Sequence, residues 1–427
     1  MKRSLLALAL LALAFPAAAR AQQPLSSFVE AAHDHAFDLR EAIETREQSR
    51  SQVDESRARL LPSFTASAGY TRFEYAIQPQ FPNGSGGFTT ATIQPIDQLQ
   101  ATFTLSVPLV DVGAWLTFFS SEATADAASD RAEASRIDVE VAVVQAYYQL
   151  VAARAVVAQA QAAVATAEEN LAVATSRGTA GIASELDVER ARTDVERARQ
   201  TAAEATLNEA LAVRNLVVLT GLTPSDDASS LDDDLHAEAP LERFVSHLDQ
   251  HPSVRAAEHD REAAQRLHDA AWAGLFPTLG ASASERVTNA SGFGQPSLWQ
   301  VGLTLSWTLD FGRVAQVQTR DHGDRIAAIR EERSEAQVET AVYEAWHRVQ
   351  SLASRAQAAR AAEVSSERAA SVASARFGAG TGSALEVSQA QRDLLLAQVQ
   401  RIQADADLRV AREVLRLRAG LPLGGEP

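Results

Sequence analysis

The chain contains no cysteine, which excludes a disulfide framework, a thiolate nucleophile, a Cys-based zinc site and a lipidated N-terminal cysteine. Lysine is all but missing, since apart from Lys2 every basic residue is arginine. Acidic residues outnumber basic ones, 55 to 39, for a formal net charge of −16. Such a balance repels phosphates, so nucleic acid is not an expected partner. Beyond the first 21 residues no apolar run reaches about 20, so no transmembrane helix is expected and any membrane span must be built from strands. There is no HExxH, no G-x-S-x-G and no nucleophile with a base, so the sequence reads as no enzyme and needs no cofactor.

What is present begins with an address. Lys2 and Arg3 form a basic start, Leu5 to Phe15 an apolar run, and Ala19-Arg20-Ala21 an A-x-A site, which together read as a secretory signal peptide over residues 1–21. Residues 22–222 and 243–427 then read as two structural repeats, joined by an acidic linker at 223–242. The repeat is visible by eye. Arg177, Gly181, Ser184, Leu186, Val188, Ala191, Asp194, Ala198, Leu216 and Gly221 recur 199 residues later as Arg376, Gly380, Ser383, Leu385, Val387, Ala390, Asp393, Ala397, Leu415 and Gly420. Roughly fourteen identities in about 48 ungapped positions mark an internal duplication.

Within the first copy, Phe28 to Leu61 reads as a helix stopped by Pro62, and Ser63 to Tyr70 alternates as a strand. Three prolines and a Gly-Ser run make residues 79–95 an exposed loop. Leu99, Ala101, Phe103, Leu105, Val107 and Leu109 then alternate with polar residues and Pro108, giving a strand with one apolar face. From about Phe119 to Thr175 the pattern is helical. It carries one seam at Ile137, Val141, Val144, Tyr148 and Val151 and a second at Val139, Val143, Ala146, Leu150, Ala153 and Val157. Two residues separate the seams, about 200° around a helix, so this helix needs a neighbour on each flank. A turn from Arg177 to Ser184 leads to a returning helix that ends at Thr220, with Gly221 as its stop.

The second copy repeats this order. A helix from Arg255 meets Pro277, and Leu279, Ala281 and Ala283 alternate as a strand. A second strand shows Trp299, Val301, Leu303, Leu305, Trp307 and Leu309 on one face, with Trp at both ends like an interfacial girdle. A flank seam recurs at Val338, Val342, Ala345, Val349, Leu352 and Ala356. Strands of a soluble sandwich would read the same residue by residue.

Three features tempt other readings. Gly378 to Ser383 looks like a phosphate cradle but follows a long helix where a strand should stand, and a hairpin turn explains it. His247 and His251 are spaced i, i+4, yet Pro252 breaks the register, and surface histidines are the simpler reading. The aspartates of the linker lack the ligand spacing of a calcium loop and read as a solvated connection.

Four strands per chain cannot close a barrel, because closed outer-membrane barrels start at about eight. Either the strands are soluble or several chains share one barrel. The order of elements, the duplication, the L-P-S-F and L-F-P-T starts of the strands and the R-x-x-x-G…S-x-L-[DE]-V turns resemble the TolC-like outer-membrane efflux protein family. The resemblance spans nearly the whole chain after the leader. It implies a mainly α fold with a β-barrel portion: long helical hairpins forming a periplasmic tunnel, and four strands per chain contributing to a trimeric twelve-stranded outer-membrane barrel. It further implies a homotrimer serving as exit duct for a tripartite efflux pump or for type I secretion. Its partners would be outer-membrane lipid, a periplasmic adaptor and an inner-membrane transporter. The reading from another class is a periplasmic coiled-coil scaffold, which would need one helical hairpin and no lipid-facing strands.

Residue by residue, the resemblance assigns the turns at Arg177, Gly181, Ser184 and Leu186, and at Arg376, Gly380, Ser383 and Leu385, to adaptor docking. It assigns Leu99, Phe103, Leu105, Trp299, Val301, Leu303, Leu305 and Trp307 to the lipid face. The family's two gate carboxylates, spaced D-V-L-D, fall on Glu386 and Gln389, with Asp187 and Arg190 in the first copy. A gate of altered charge pattern is expected from this set.

Overall fold

In the computed structural model the described residues are 23–84, 86–225, 231, 235–290, 292 and 294–423. The signal peptide expected over residues 1–21 and linker residues Asp226, Asp227 and Asp232 to Asp234 lie outside them.

The period-two segments become one antiparallel sheet. Its strands are β1 (Ser63–Arg72), β4 (Asp97–Val110), β5 (Thr278–Thr288) and β6 (Ser297–Ser306), in the order β1-β4-β5-β6. Between β1 and β4 the loop expected at 79–95 holds a short hairpin, β2 (Gln80–Pro82) with β3 (Phe88–Thr90). Asn83 turns it by accepting the Gly87 N–H at 2.7 Å. Ladder partners share a face. The rows Phe64–Leu105–Ala283–Val301 and Ala66–Phe103–Glu285–Trp299 therefore cross all four strands on one side, and Thr65–Thr104–Ser284–Gln300 crosses on the other. Register is pinned by this polarity, because a one-residue slip would exchange the faces. β6 ends at Ser306, so Trp307 lies just outside the strand to which its alternation assigned it. Its indole N–H reaches the Leu275 carbonyl at 3.0 Å instead of continuing the ladder.

The helices are α1 (Leu25–His35), α2 (Phe37–Ala58), α3 (Val112–Thr179), α4 (Glu185–Thr220), α5 (Leu241–Val245), α6 (Pro252–Ala273), α7 (Phe311–Gly378) and α8 (Ala384–Arg418). The helix expected from Phe28 is two helices, broken where Ala36 turns extended at ψ 128°. α1 buries Phe28, Val29 and Ala32 whereas α2 buries only Leu39, so the two halves serve different packing. α3 starts seven residues earlier than its periodicity indicated, capped by Asp111, whose carboxylate accepts the Ala114 N–H at 2.9 Å. α3 and α7 are each 68 residues long, roughly 100 Å at 1.5 Å per residue. By length and composition α3 is the one described helix apolar enough to cross a membrane, contrary to the sequence expectation of none. Within α3 the seam residues Ile137, Val139, Val141, Val143, Val144 and Leu150 are buried against protein.

By packing, the chain divides into two compact units. One comprises residues up to 41, 134–251 and 338–427, and the other 42–133 and 252–337. The first is held by helix seams. Ile137, Val141 and Val144 pack with Leu417, while Val157 and Ala160 pack with Ala205. Val342, Ala345, Val349 and Ala356 pack with Ala404, Leu408, Ala411 and Leu415. Burying one such Leu contributes about 1.5–3 kcal/mol. Many of the residues repeated between the copies are core residues: Ala205 and Ala404, Ala212 and Ala411, Leu216 and Leu415 are buried in pairs. Buried charge is matched, since Asp405 accepts from Arg360 and Arg401, and Arg412 donates to Glu238 at 2.9 Å and to the His236 carbonyl at 2.8 Å.

Two sequence expectations are corrected in this unit. The end of the linker is not solvated throughout: Leu235 and Ala239 pack on the α7–α8 core, and the Trp346 indole donates to the Ala239 carbonyl at 2.9 Å. His251 is not a surface histidine. It is buried at the start of α6, where burial and then Arg418 lower its pKa against the opposing effect of Asp138. Pro252 is the first residue of α6, where a missing N–H costs nothing.

Candidate channel surfaces and turns

Strand β4 inverts the exposure pattern of a soluble protein, and the outer strands β1 and β6 are exposed on both faces. On β4 the apolar Leu99, Phe103 and Leu105 are exposed, while their polar neighbours Gln98, Gln100, Thr102, Thr104 and Ser106 are half-buried. On β6 Trp299 is 75% exposed and Leu303 72%, and Val301 and Leu305 are comparable. An apolar face this continuous is far more than the scattered apolar exposure of ordinary surfaces. Glu285, which the alternation in sequence did not reach, shares that face beside Trp299 and accepts from the Ser297 hydroxyl at 2.7 Å.

The two turns are built alike, bond for bond. Ala180, Gly181, Ile182 and Ala183 donate their N–H groups to the carbonyls of Ser176, Gly178, Arg177 and Arg177. Ala379, Gly380, Thr381 and Gly382 donate to those of Ala375, Phe377, Arg376 and Arg376. Gly181 at φ +72° and Gly380 at φ +74° supply the left-handed residue that closes each turn. Exposed around the turns are Ile182, Leu186 and Leu385, an apolar fringe of which Ile182 was not read from sequence.

Each returning helix is capped by its serine. Ser184 accepts the Asp187 N–H at 3.2 Å, and Asp187 in return accepts the Ser184 N–H at 3.2 Å and its hydroxyl at 2.7 Å, a complete capping box. The hydroxyl bond is the main cause that holds the Asp187 pKa below the usual carboxylate value; desolvation, next in size, opposes it, and the Ser184 backbone and Arg190 add lesser help. A carboxylate so depressed stabilises the fold above its ordinary pKa and loses that contribution as pH falls through the lowered one. The second copy is only half a box. Ser383 accepts the Glu386 N–H at 3.2 Å, but the Glu386 carboxylate lies 3.7 Å from Arg376 instead of returning to the cap. Gln389 is exposed at the next turn of α8, and Arg190 sits 4.0 Å from Asp187.

Sequence reasoning missed how the two turns meet. Arg177 donates to the carbonyls of Phe377 at 2.8 Å and Gly378 at 3.0 Å, with its guanidinium 4.4 Å from the centre of the Phe377 ring. Further along, Ser388 donates to Asp194 at 2.5 Å. A groove of about 680 Å³ lies here, lined among others by Arg190, Asp194, Phe377, Leu385 and Ser388. The R-x-x-x-G pattern flagged Arg177, but nothing local in the sequence could name a partner 200 residues away.

Comparison with known proteins fits these features. The outer membrane efflux protein family model matches residues 28–222 and 245–421. A probable efflux pump outer membrane protein, TtgC, of Pseudomonas putida is 27% identical over 252 residues, 58% of this chain and 50% of TtgC; the chain thus matches about half the length of this relative. Among solved structures, CusC, described for its transmembrane channel formation, aligns with a TM-score of 0.80 at 20% identity over 94% of this chain and 93% of its own. The Campylobacter jejuni outer membrane channel CmeC aligns at 0.77 with 18% identity over 93% and 85%. These alignments carry the fold, long helical hairpins with a small antiparallel sheet, and the matched family carries the compartment. The chain belongs to the outer membrane efflux protein family.

Proposed function

We propose that three copies of this chain form the outer-membrane exit duct of a tripartite efflux pump, with a twelve-stranded barrel in the membrane and a helical tunnel in the periplasm. The observation that carries this reading is the sheet. It exposes an apolar face, and its outer strands β1 and β6 each have one neighbour. Backbone groups left unpaired in lipid cost several kcal/mol each, so the edges must be closed by further copies. Four strands from each of three chains reach barrel size. On this reading Leu99, Phe103, Leu105, Trp299, Val301, Leu303 and Leu305 face lipid, with Trp307 at the membrane boundary. The turns around Gly181 and Gly380 meet a periplasmic adaptor that connects to an inner-membrane transporter, as the efflux-pump relatives suggest. Light scattering of the detergent-purified protein is expected to give three times the chain mass. A folded monomer that needs no detergent would sink the barrel.

The gate belongs to the same reading, and the two copies divide its labour. Asp187 is committed to capping α4, whereas Glu386, with Gln389 beyond it, is the acid left to present charge at the tunnel mouth. Glu386→Gln should reduce cation selectivity in planar bilayers with little change in melting, since an exposed ion pair contributes at most about 1 kcal/mol. Asp187→Asn should do the reverse, lowering stability by about 1 kcal/mol through the weakened cap. Unchanged selectivity in Glu386→Gln would remove Glu386 from the gate.

A further inference from the structure

The contact between the two copies is head-to-tail. The first copy offers Arg177 and Asp194, and the second receives them at Phe377, Gly378 and Ser388. Shifted by the repeat offset, the offering residues become Arg376 and Asp393, and the receiving residues become Gly178, Thr179 and Glu189. One chain therefore leaves one offering surface and one receiving surface unused, and a contact of this kind closes a ring when copies are added. The side chains are poised for it. Arg376 is exposed and held only at 3.7 Å by Glu386 and at 3.5 Å by the Thr381 carbonyl, and Asp393 and Glu189 are both exposed. The Gly178 carbonyl already accepts the Gly181 N–H at 3.0 Å, as the Phe377 carbonyl accepts the Gly380 N–H at 3.0 Å while also taking Arg177. A carbonyl has two lone pairs, so the second is available in the same geometry.

Resting on the three-copy reading above, we propose that Arg376 clasps the carbonyls of Gly178 and Thr179 of the partner subunit, so that arginine forks join the turns alternately within and between protomers. The equivalence is not complete, and the difference has a direction. Gly178 stands where Phe377 would, so the clasp between protomers has no aromatic ring beneath its guanidinium. Glu189, paired with Arg192 at 3.2 Å, stands where Ser388 would, so Asp393 finds no hydroxyl. The seam between protomers is thus the weaker of the two kinds and the first to part.

The absence of cysteine allows a clean test. Glu189→Cys and Asp393→Cys in one chain, treated with a short bismaleimide, should give covalent dimers and trimers on denaturing gels. Asp194→Cys with Ser388→Cys should link within the chain and leave monomer. Arg376→Gln should slow the first reaction several-fold and spare the second, and Arg177→Gln should do the opposite. A particle of trimeric mass that gives no intersubunit product overturns the surface, and a product indifferent to Arg376→Gln overturns the clasp. A monomeric particle overturns the three-copy reading along with both.

Discussion

Leu303→Arg is expected to abolish trimers in the outer membrane, while Thr304→Arg leaves them nearly normal. Leu303 lies between Trp299 and the end of β6, opposite Ala281, on the face that carries Val301 and Leu305. Arginine on the lipid face of a barrel near the bilayer midplane costs about 2–4 kcal/mol per site, and a trimer would incur that three times over. Against total stabilities of about 5–15 kcal/mol for ordinary domains, such a load is decisive. Thr304 differs by one residue and lies on the other side, in the row of Gly280, where in the proposed barrel an arginine would meet water. The pair controls for synthesis, charge and position on the strand, so only the face differs. The measurement is the trimer recovered from outer-membrane fractions and its mobility on gels with and without heating. Equal loss from both substitutions would mean that neither face meets lipid.

That strand was legible in the sequence because its information is local. A polar residue at every second position needs no knowledge of the neighbouring strand, and the same holds for β4 and for the seams of α3 and α7. The hairpin turns and the stop at Gly221 were equally readable, since glycines between two helical stretches mark a turn locally. What could not be read depends on distant partners. The break at Ala36 carries no glycine or proline. Trp307 continues the alternation perfectly, yet leaves the ladder because the Leu275 carbonyl is within reach of its indole. Leu235 and Ala239 sit in an acidic, proline-bearing stretch that reads as solvent-exposed, and only the α7–α8 surface explains their burial. The candidate site shows the same division. Sequence singled out Arg177, Gly181, Asp187 and Glu386, but did not distinguish the acid that caps from the acid that remains available.

Gly380→Val should leave the trimer in the membrane and abolish export. At φ +74° the backbone of Gly380 occupies the left-handed region, where an ordinary L-residue costs roughly 1–2 kcal/mol and a β-branched one is a true outlier. Nothing lies within 4 Å of where its Cβ would sit, so the penalty is conformational, not a clash. The chain escapes it by flipping the turn, which gives up the Gly380 N–H bond to the Phe377 carbonyl and displaces the carbonyl that holds Arg177. Leu385, exposed just past the turn, moves with it. The sheet residues belong to the other compact unit, so barrel assembly should be spared. Gly378→Ala is the matched control: that site is helical, its φ is not positive and its Cβ would also meet open space. Export measured in cells supplying the adaptor and transporter should fail for Gly380→Val and persist for Gly378→Ala, at equal trimer levels. Full export by the valine variant would exclude this turn from the docking surface, because the strained φ leaves it no way to keep the native shape.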